Sequence, residues 1–217
     1  GYKIYIQIEG QLNLVEEILS TQITSYDLTG YDSGDFCLTA FDLYQNETEA
    51  LCAESSELSN YTFSLYDGAN LISFPYLSNE DTSVETIFSS IEIDTDGLIS
   101  EGIASFYSPI LGWTGAISTI ERDKGYWLKM SLDDDVEYMS FSVSGIETDH
   151  SMIYYLHDGA NLVSYIGPDG MDIESAVPDN IEEYFDAIIG QGVAATPDPV
   201  LGWVGSLGSL NIGKGYW

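Results

Sequence analysis

The stretch Leu65-Tyr66-Asp67-Gly68-Ala69-Asn70-Leu71-Ile72-Ser73-Phe74 returns as Leu156-His157-Asp158-Gly159-Ala160-Asn161-Leu162-Val163-Ser164-Tyr165. Two further blocks return in the same order. Gly102-Ile103-Ala104 with Pro109-Ile110-Leu111-Gly112-Trp113-Thr114-Gly115 reappears as Gly192-Val193-Ala194 with Pro199-Val200-Leu201-Gly202-Trp203-Val204-Gly205. Lys124-Gly125-Tyr126-Trp127 reappears as Lys214-Gly215-Tyr216-Trp217. Three blocks at one spacing mark two homologous modules. The period, near 90 residues, is too long for an ordinary solenoid repeat, so each copy is expected to be its own domain.

Each copy reads in the same sequence of elements. An Asp-Gly turn launches an apolar strand. A short helix follows: Thr82 and Glu85 form a capping box before Val84, Ile87, Phe88 and Ile91. In the second copy Asp172 caps a turn carrying Ile173, Ala176 and Val177. Strands around the Gly-Trp block and a closing Gly-Tyr-Trp strand complete each copy. The expected fold class is all-β: tandem β-sandwich-like modules with one short helix per repeat. The paired Gly-x-Asn-Leu-Ile/Val-Ser and Lys-Gly-Tyr-Trp strands resemble aromatic-rich modules in secreted or surface proteins of aquatic bacteria and their phages. That likeness implies no assigned activity.

Upstream, Tyr2-Lys3-Ile4-Tyr5-Ile6-Gln7-Ile8 alternates with period 2, placing Tyr2, Ile4, Ile6 and Ile8 on one face. Leu12 to Leu19 and Ile23 to Leu28 read as shorter strands, with turns at 9–11 and 32–35. Phe36 to Leu43 is the clearest strand, and Ala50 to Ser55 is expected to pair back onto it. The run from Ser25 through Asp42, with its Leu28 corner, Gly30 and Gly34 turn and Phe36-led strand, resembles a fibronectin type III domain. Tyr2 to Tyr5 is similar to that family's third strand. The resemblance covers the later strands and implies a spacer or adhesion module without the first two strands. The expected domains are 1–60, 61–148 and 149–217, the last incomplete at its C-terminal side. Gly1 opens the sequence with neither an initiator Met nor an apolar leader. A removed signal and a window of a longer chain both fit.

Composition narrows the function classes. Five Lys+Arg against 36 Asp+Glu give a net charge of −31. Such a chain repels phosphate backbones and anionic lipid, which argues against nucleic acid and membrane insertion. Forty-four per cent hydrophobic residues exclude a solvated acidic tail and supply real cores. No apolar run reaches the roughly 20 residues that a spanning helix needs. Cys37 and Cys52 lie on neighbouring β-like runs with a turn at 45–47 between them, so a disulfide is expected. A disulfide places the chain in an oxidising, extracellular or cell-surface setting. Asn46-Glu47-Thr48 and Asn60-Tyr61-Thr62 match the short glycosylation acceptor pattern.

Candidate site residues follow from the repeats. Trp113, Trp127, Trp203 and Trp217 beside glycine read as core anchors, with sugar-stacking platforms as the alternative. Lys124 and Lys214 are two of only five basic residues and share one repeat position. In an acid-rich chain they read as ion-paired anchors within each module, since surrounding acids oppose the depressed pKa that a catalytic lysine needs. The two histidines are His150 and His157, and Tyr66 stands where His157 does, so no histidine is shared. No nucleophile triad, phosphate loop or histidine metal cluster occurs, although paired carboxylates for glycoside hydrolysis stay open among so many acids. Asp94 and Asp96, and Asp133, Asp134 and Asp135, are the calcium candidates, although neither run ends in the Glu of a twelve-residue loop. No other cofactor and no catalytic residue is expected.

The sequence therefore points to a non-enzymatic extracellular structural protein, a segment of a modular appendage or filament. Its expected partners are other copies of itself or adjacent modules, joined head to tail through β-strand contacts. The alternative is a set of adhesive or glycan-binding modules.

Overall fold

The computed structural model describes residues 1–8, 11–20, 35–53 and 58–217. The fold is all-β, with many antiparallel strands and two short α-helices among the described residues. The chain divides into two compact units, Gly1–Glu57 and Leu58–Trp217. The expected strand 23–28, residues 32–34 of the expected turn and most of the fibronectin-like run lie outside the described residues; Asp35 opens β3.

The described residues of the first unit form a four-stranded antiparallel sheet. Its strands are β1 (Tyr2–Ile8), β2 (Gln11–Ile18), β3 (Asp35–Ala40) and β4 (Leu51–Ala53), in the order β2-β1-β3-β4. Alternation in β1 buries Ile4 and Ile6, but the face ends before Ile8, which is 52% exposed. The strand expected through Leu43 stops at Ala40. Asp42 is the cause: its carboxylate accepts the Tyr44 and Asn46 amides at 2.8 and 2.9 Å and reverses the chain. Cys37 stands opposite Cys52 in the β3–β4 register, and the two form a disulfide.

The first repeat is a two-sheet sandwich. After β5 (Ser59–Leu65) come β6 (Gly68–Ser73) and β7 (Tyr76–Leu77), then α1 (Val84–Phe88). Strands β8 (Thr95–Ser100), β9 (Ile103–Ser108), β10 (Gly112–Gly115), β11 (Gly125–Met130) and β12 (Met139–Glu147) follow. One sheet runs β10-β9-β8-β11-β6 and the other β5-β12-β7. Between them Phe63, Phe74, Phe88 and Phe141 pack ring on ring at 5.5–5.9 Å. Each such ring contributes about 1.5–3 kcal/mol by leaving water. The helix cap falls on Ser83, whose hydroxyl accepts the Thr86 amide, and not on Thr82. Thr82 is already committed: its carbonyl accepts Ile120 N–H at 2.8 Å.

The second repeat rebuilds part of this order: β13 (Val163–Ser164), β14 (Met171–Asp172), α2 (Ile173–Ala176), β15 (Ile188–Gly190), β16 (Val193–Asp198), β17 (Gly202–Gly205), β18 (Ser209–Leu210) and β19 (Gly215–Tyr216), with β16 and β17 as long as β9 and β10 and with β14–β18 pairing where the first repeat has the single bridge Ser83–Thr119. Asp172 caps α2 through the Glu174 amide at 3.0 Å. Its core of Ile173, Val177, Ile188, Leu207, Leu210 and Tyr216 corresponds to Val84, Phe88, Leu98, Ile117, Ile120 and Tyr126. Even the buried phenols match: Tyr126 accepts the Glu121 amide at 2.8 Å, and Tyr216 the Asn211 amide at 2.9 Å. Among the described residues, no helix is long and apolar enough to cross a membrane.

Candidate functional site

The two repeats were expected as separate domains, yet both lie in one compact unit, and the repeated residues are what join them. The Leu71 amide donates to Gln191 Oε1 at 2.9 Å; reciprocally, the Leu162 amide donates to Glu101 Oε2 at 3.1 Å. The Ser73 amide donates to the Gly213 carbonyl, and the Ser164 amide to the Asp123 carbonyl, both at 3.1 Å. Bridges pair Ile72 with Lys214 and Val163 with Lys124. Each of these contacts has its mirror at the equivalent repeat position, as in an isologous, two-fold interface; the Tyr61 hydroxyl donating to the Ile212 carbonyl at 2.9 Å and the Ser73 hydroxyl donating to the Lys214 carbonyl at 2.7 Å stand outside that symmetry.

Glycine makes this approach possible. A Cβ on Gly125 would lie 2.8 Å from Leu162 Cδ1 and 2.9 Å from the Val163 carbonyl oxygen. On Gly215 it would lie 2.9 Å from Leu71 Cδ1 and 3.2 Å from Gly125 Cα. The glycine of the repeated Lys-Gly-Tyr-Trp block is therefore required by a close backbone approach between the copies. The repeated Asn has a local task. Asn70 accepts the Tyr66 amide and donates back to its carbonyl, and Asn161 does the same with His157. Each closes the Asp-Gly turn, where Gly68 and Gly159 have φ of 82° and 95°.

Beside this seam lies a cleft of about 290 Å³, lined by Glu101, Glu121, Asp123, Lys124, Tyr155 and His157 among others. His157 Nε2 meets Glu101 Oε1 at 2.5 Å and Nδ1 lies 2.8 Å from the Asp158 carbonyl. Only the doubly protonated ring satisfies both acceptors. The Asp158 carbonyl, then Glu101, accordingly raises the His157 pKa. Burial pushes the Glu101 carboxyl up, but the His157 and Leu162 hydrogen bonds prevail and hold it below its ordinary value. Gln191 needs no histidine, because its amide nitrogen donates to the Ala69 carbonyl at 3.0 Å. Tyr154, largely buried beside the cleft, has its phenol pushed up to about 12 by desolvation.

The anticipated residues are distributed elsewhere. Trp113 is 9% exposed, against Phe88 and Tyr107 at 5.4 and 5.8 Å, and its Nε1 has no hydrogen-bond partner among the described residues. Trp203 is only half-buried, and its Nε1 donates to Glu182 at 2.7 Å. Trp127 on β11 and Trp217 just past β19 are half-buried. Lys124 lies 3.6 Å from its neighbour Asp123, and Lys214 forms no ion pair among the described residues. Asp96 pairs with Lys129 at 2.7 Å. Asp133, Asp134 and Asp135 sit in a solvated turn. Among the described residues no three acidic, cysteine or histidine side chains converge as metal ligands. Asn46 donates to Asp42, and Asn60 bonds Ser144; both are exposed. Glu101 and Gln191 were not anticipated. They carry no motif, and their shared repeat position is the one signal that could have found them.

Among known proteins, the chain matches no family model, no curated protein and no solved structure.

Proposed function

We propose that this chain is an extracellular structural protein, a segment of a modular appendage or filament whose modules associate head to tail through β-strand contacts. The seam within the chain supports this reading only in that one copy joins the next through backbone hydrogen bonds and β-bridges at repeated positions; being reciprocal, it closes on the pair, so head-to-tail growth uses another face. The repeated Leu, Ser, Lys and Gly positions are spent on joining one copy to the next. A disulfide suits an oxidising setting, and net charge of −31 keeps such material soluble. No catalytic step is proposed. Light scattering and electron microscopy on the purified chain test the proposal. Elongated multimers that grow with concentration are expected; dispersed monomers at every concentration would contradict it.

A second reading, glycan adhesion, draws on the polar cleft with Tyr155 at its edge. Reproducible binding on a glycan array, abolished by Tyr155→Ala, would favour it.

A further inference from the structure

The two repeats treat one strand edge differently. Among the described residues β10 pairs only with β9, and β17 only with β16, so each is an edge of its sheet. β11 and β12, which follow β10 in the chain, pair elsewhere and leave its edge open. Bonding between β9 and β10 falls on alternate residues, in phase with the Ala116 amide that donates to the Ala104 carbonyl at 2.8 Å. That register turns the Trp113 amide and carbonyl away from β9. The Trp203 amide turns outward in the same way, and there Glu174 Oε1 accepts it at 2.6 Å. A carboxylate seated on an edge amide blocks strand addition. Glu85, which holds the place of Glu174 in the first repeat, makes no such bond, and the Trp113 amide has no acceptor among the described residues. Charge follows the same division. Residues 102–120 carry no charged side chain in a chain with 36 acids. In the second repeat Asp198 stands at the hairpin and accepts the Val200 and Leu201 amides at 2.9 Å; the neutral Ser108 stands there in the first.

We propose that β10 is a self-association edge that pairs antiparallel with β10 of a second copy of this chain. Charge selects the occupant. A net charge of −31 holds two copies apart over most of their surface. The uncharged edge is where they meet, whereas a basic partner is drawn to the acids elsewhere. Geometry makes the edge complementary to itself. With a two-fold axis at Trp113, each Trp113 gives its amide to the other's carbonyl, and both outward groups are closed. Thr114 of one copy then faces Gly112 of the other. Leu111, 73% exposed, comes beside Gly115 of the other copy, where no side chain stands in its way. This goes beyond the assembly reading above: a two-fold contact joins chains in pairs and does not elongate them.

The test follows the full chain by amide exchange and sedimentation velocity as its concentration rises from micromolar to millimolar. Exchange of the Trp113 amide is expected to slow at least about tenfold as dimers form by mass action. Leu111→Asp combined with Thr114→Asp, both at exposed positions, sets like charges across the two-fold axis. It should abolish the slowing, with unchanged protection at Leu98 and Leu128 as the check on folding. Leu201→Asp makes the same change at the counterpart of Leu111, also 73% exposed, and should leave the slowing intact. The proposal is overturned by Trp113 exchange that does not depend on concentration, by slowing that survives the double variant, or by slowing lost equally in Leu201→Asp. Elongated multimers without any change at Trp113 would keep the assembly reading and remove this contact. Dimers that never elongate would keep this contact and remove the assembly reading.

Discussion

Gly125 is the residue on which the seam between the repeats turns. One added methyl must displace Leu162 Cδ1 or the Val163 carbonyl. Gly125→Ala is expected to cost about 1–3 kcal/mol, as overpacking usually does, visible as a lower urea midpoint for the second unit. Trp113→Ala, a deletion inside the sandwich core, should cost about 3–5 kcal/mol; half-buried Trp203→Ala should cost less. Titration offers a separate check. Hydrogen bonds from Lys3, then Thr39 and Tyr5, hold the Glu47 carboxyl down to about 2. A depressed carboxylate contributes stability above its unfolded value of 4.5, and that contribution is lost as pH falls toward 2. Glu47→Gln should flatten the first unit's stability across that range. His157 has the opposite sign. Its raised pKa contributes fully below 6.5 and is lost as pH climbs through the folded value. Nuclear magnetic resonance titration of both side chains reads these shifts directly.

Elements were legible wherever the signal was local. The helix of each repeat announced itself by a small polar cap before an apolar turn. Only the choice between Thr82 and Ser83 was hidden, because a pairing with Ile120 decides it. The cysteines sat on alternating runs and do face each other across β3 and β4. Reduction is expected to cost the first unit about 3 kcal/mol; calorimetry with and without reductant measures it. The role of β12 was not legible. It lies outside the repeated blocks, and its pairing with β5 spans about 80 residues. Nothing local in Met139–Glu147 says which face it covers.

At the scale of the molecule, the repeats were plain in the sequence, but their union was not. The bonds between copies use backbone amides of Leu71, Ser73, Leu162 and Ser164, which any residue but proline supplies. The side-chain acceptors, Glu101 and Gln191, differ from each other and so escape a search for identity. The recurring glycine of Lys-Gly-Tyr-Trp is the visible trace, yet in sequence it is indistinguishable from a glycine placed beside a core tryptophan. The same ambiguity covers the cleft, whose acids come from the seam and not from a motif. The repeated residues lock the two copies into one body. Gly215→Val strikes that lock, with amide exchange followed at Leu71 and Ser73 in the other repeat. Loss of protection at both amides, together with that of the second repeat, is the predicted result. Unchanged protection at Leu71 and Ser73 while the second repeat opens would contradict it.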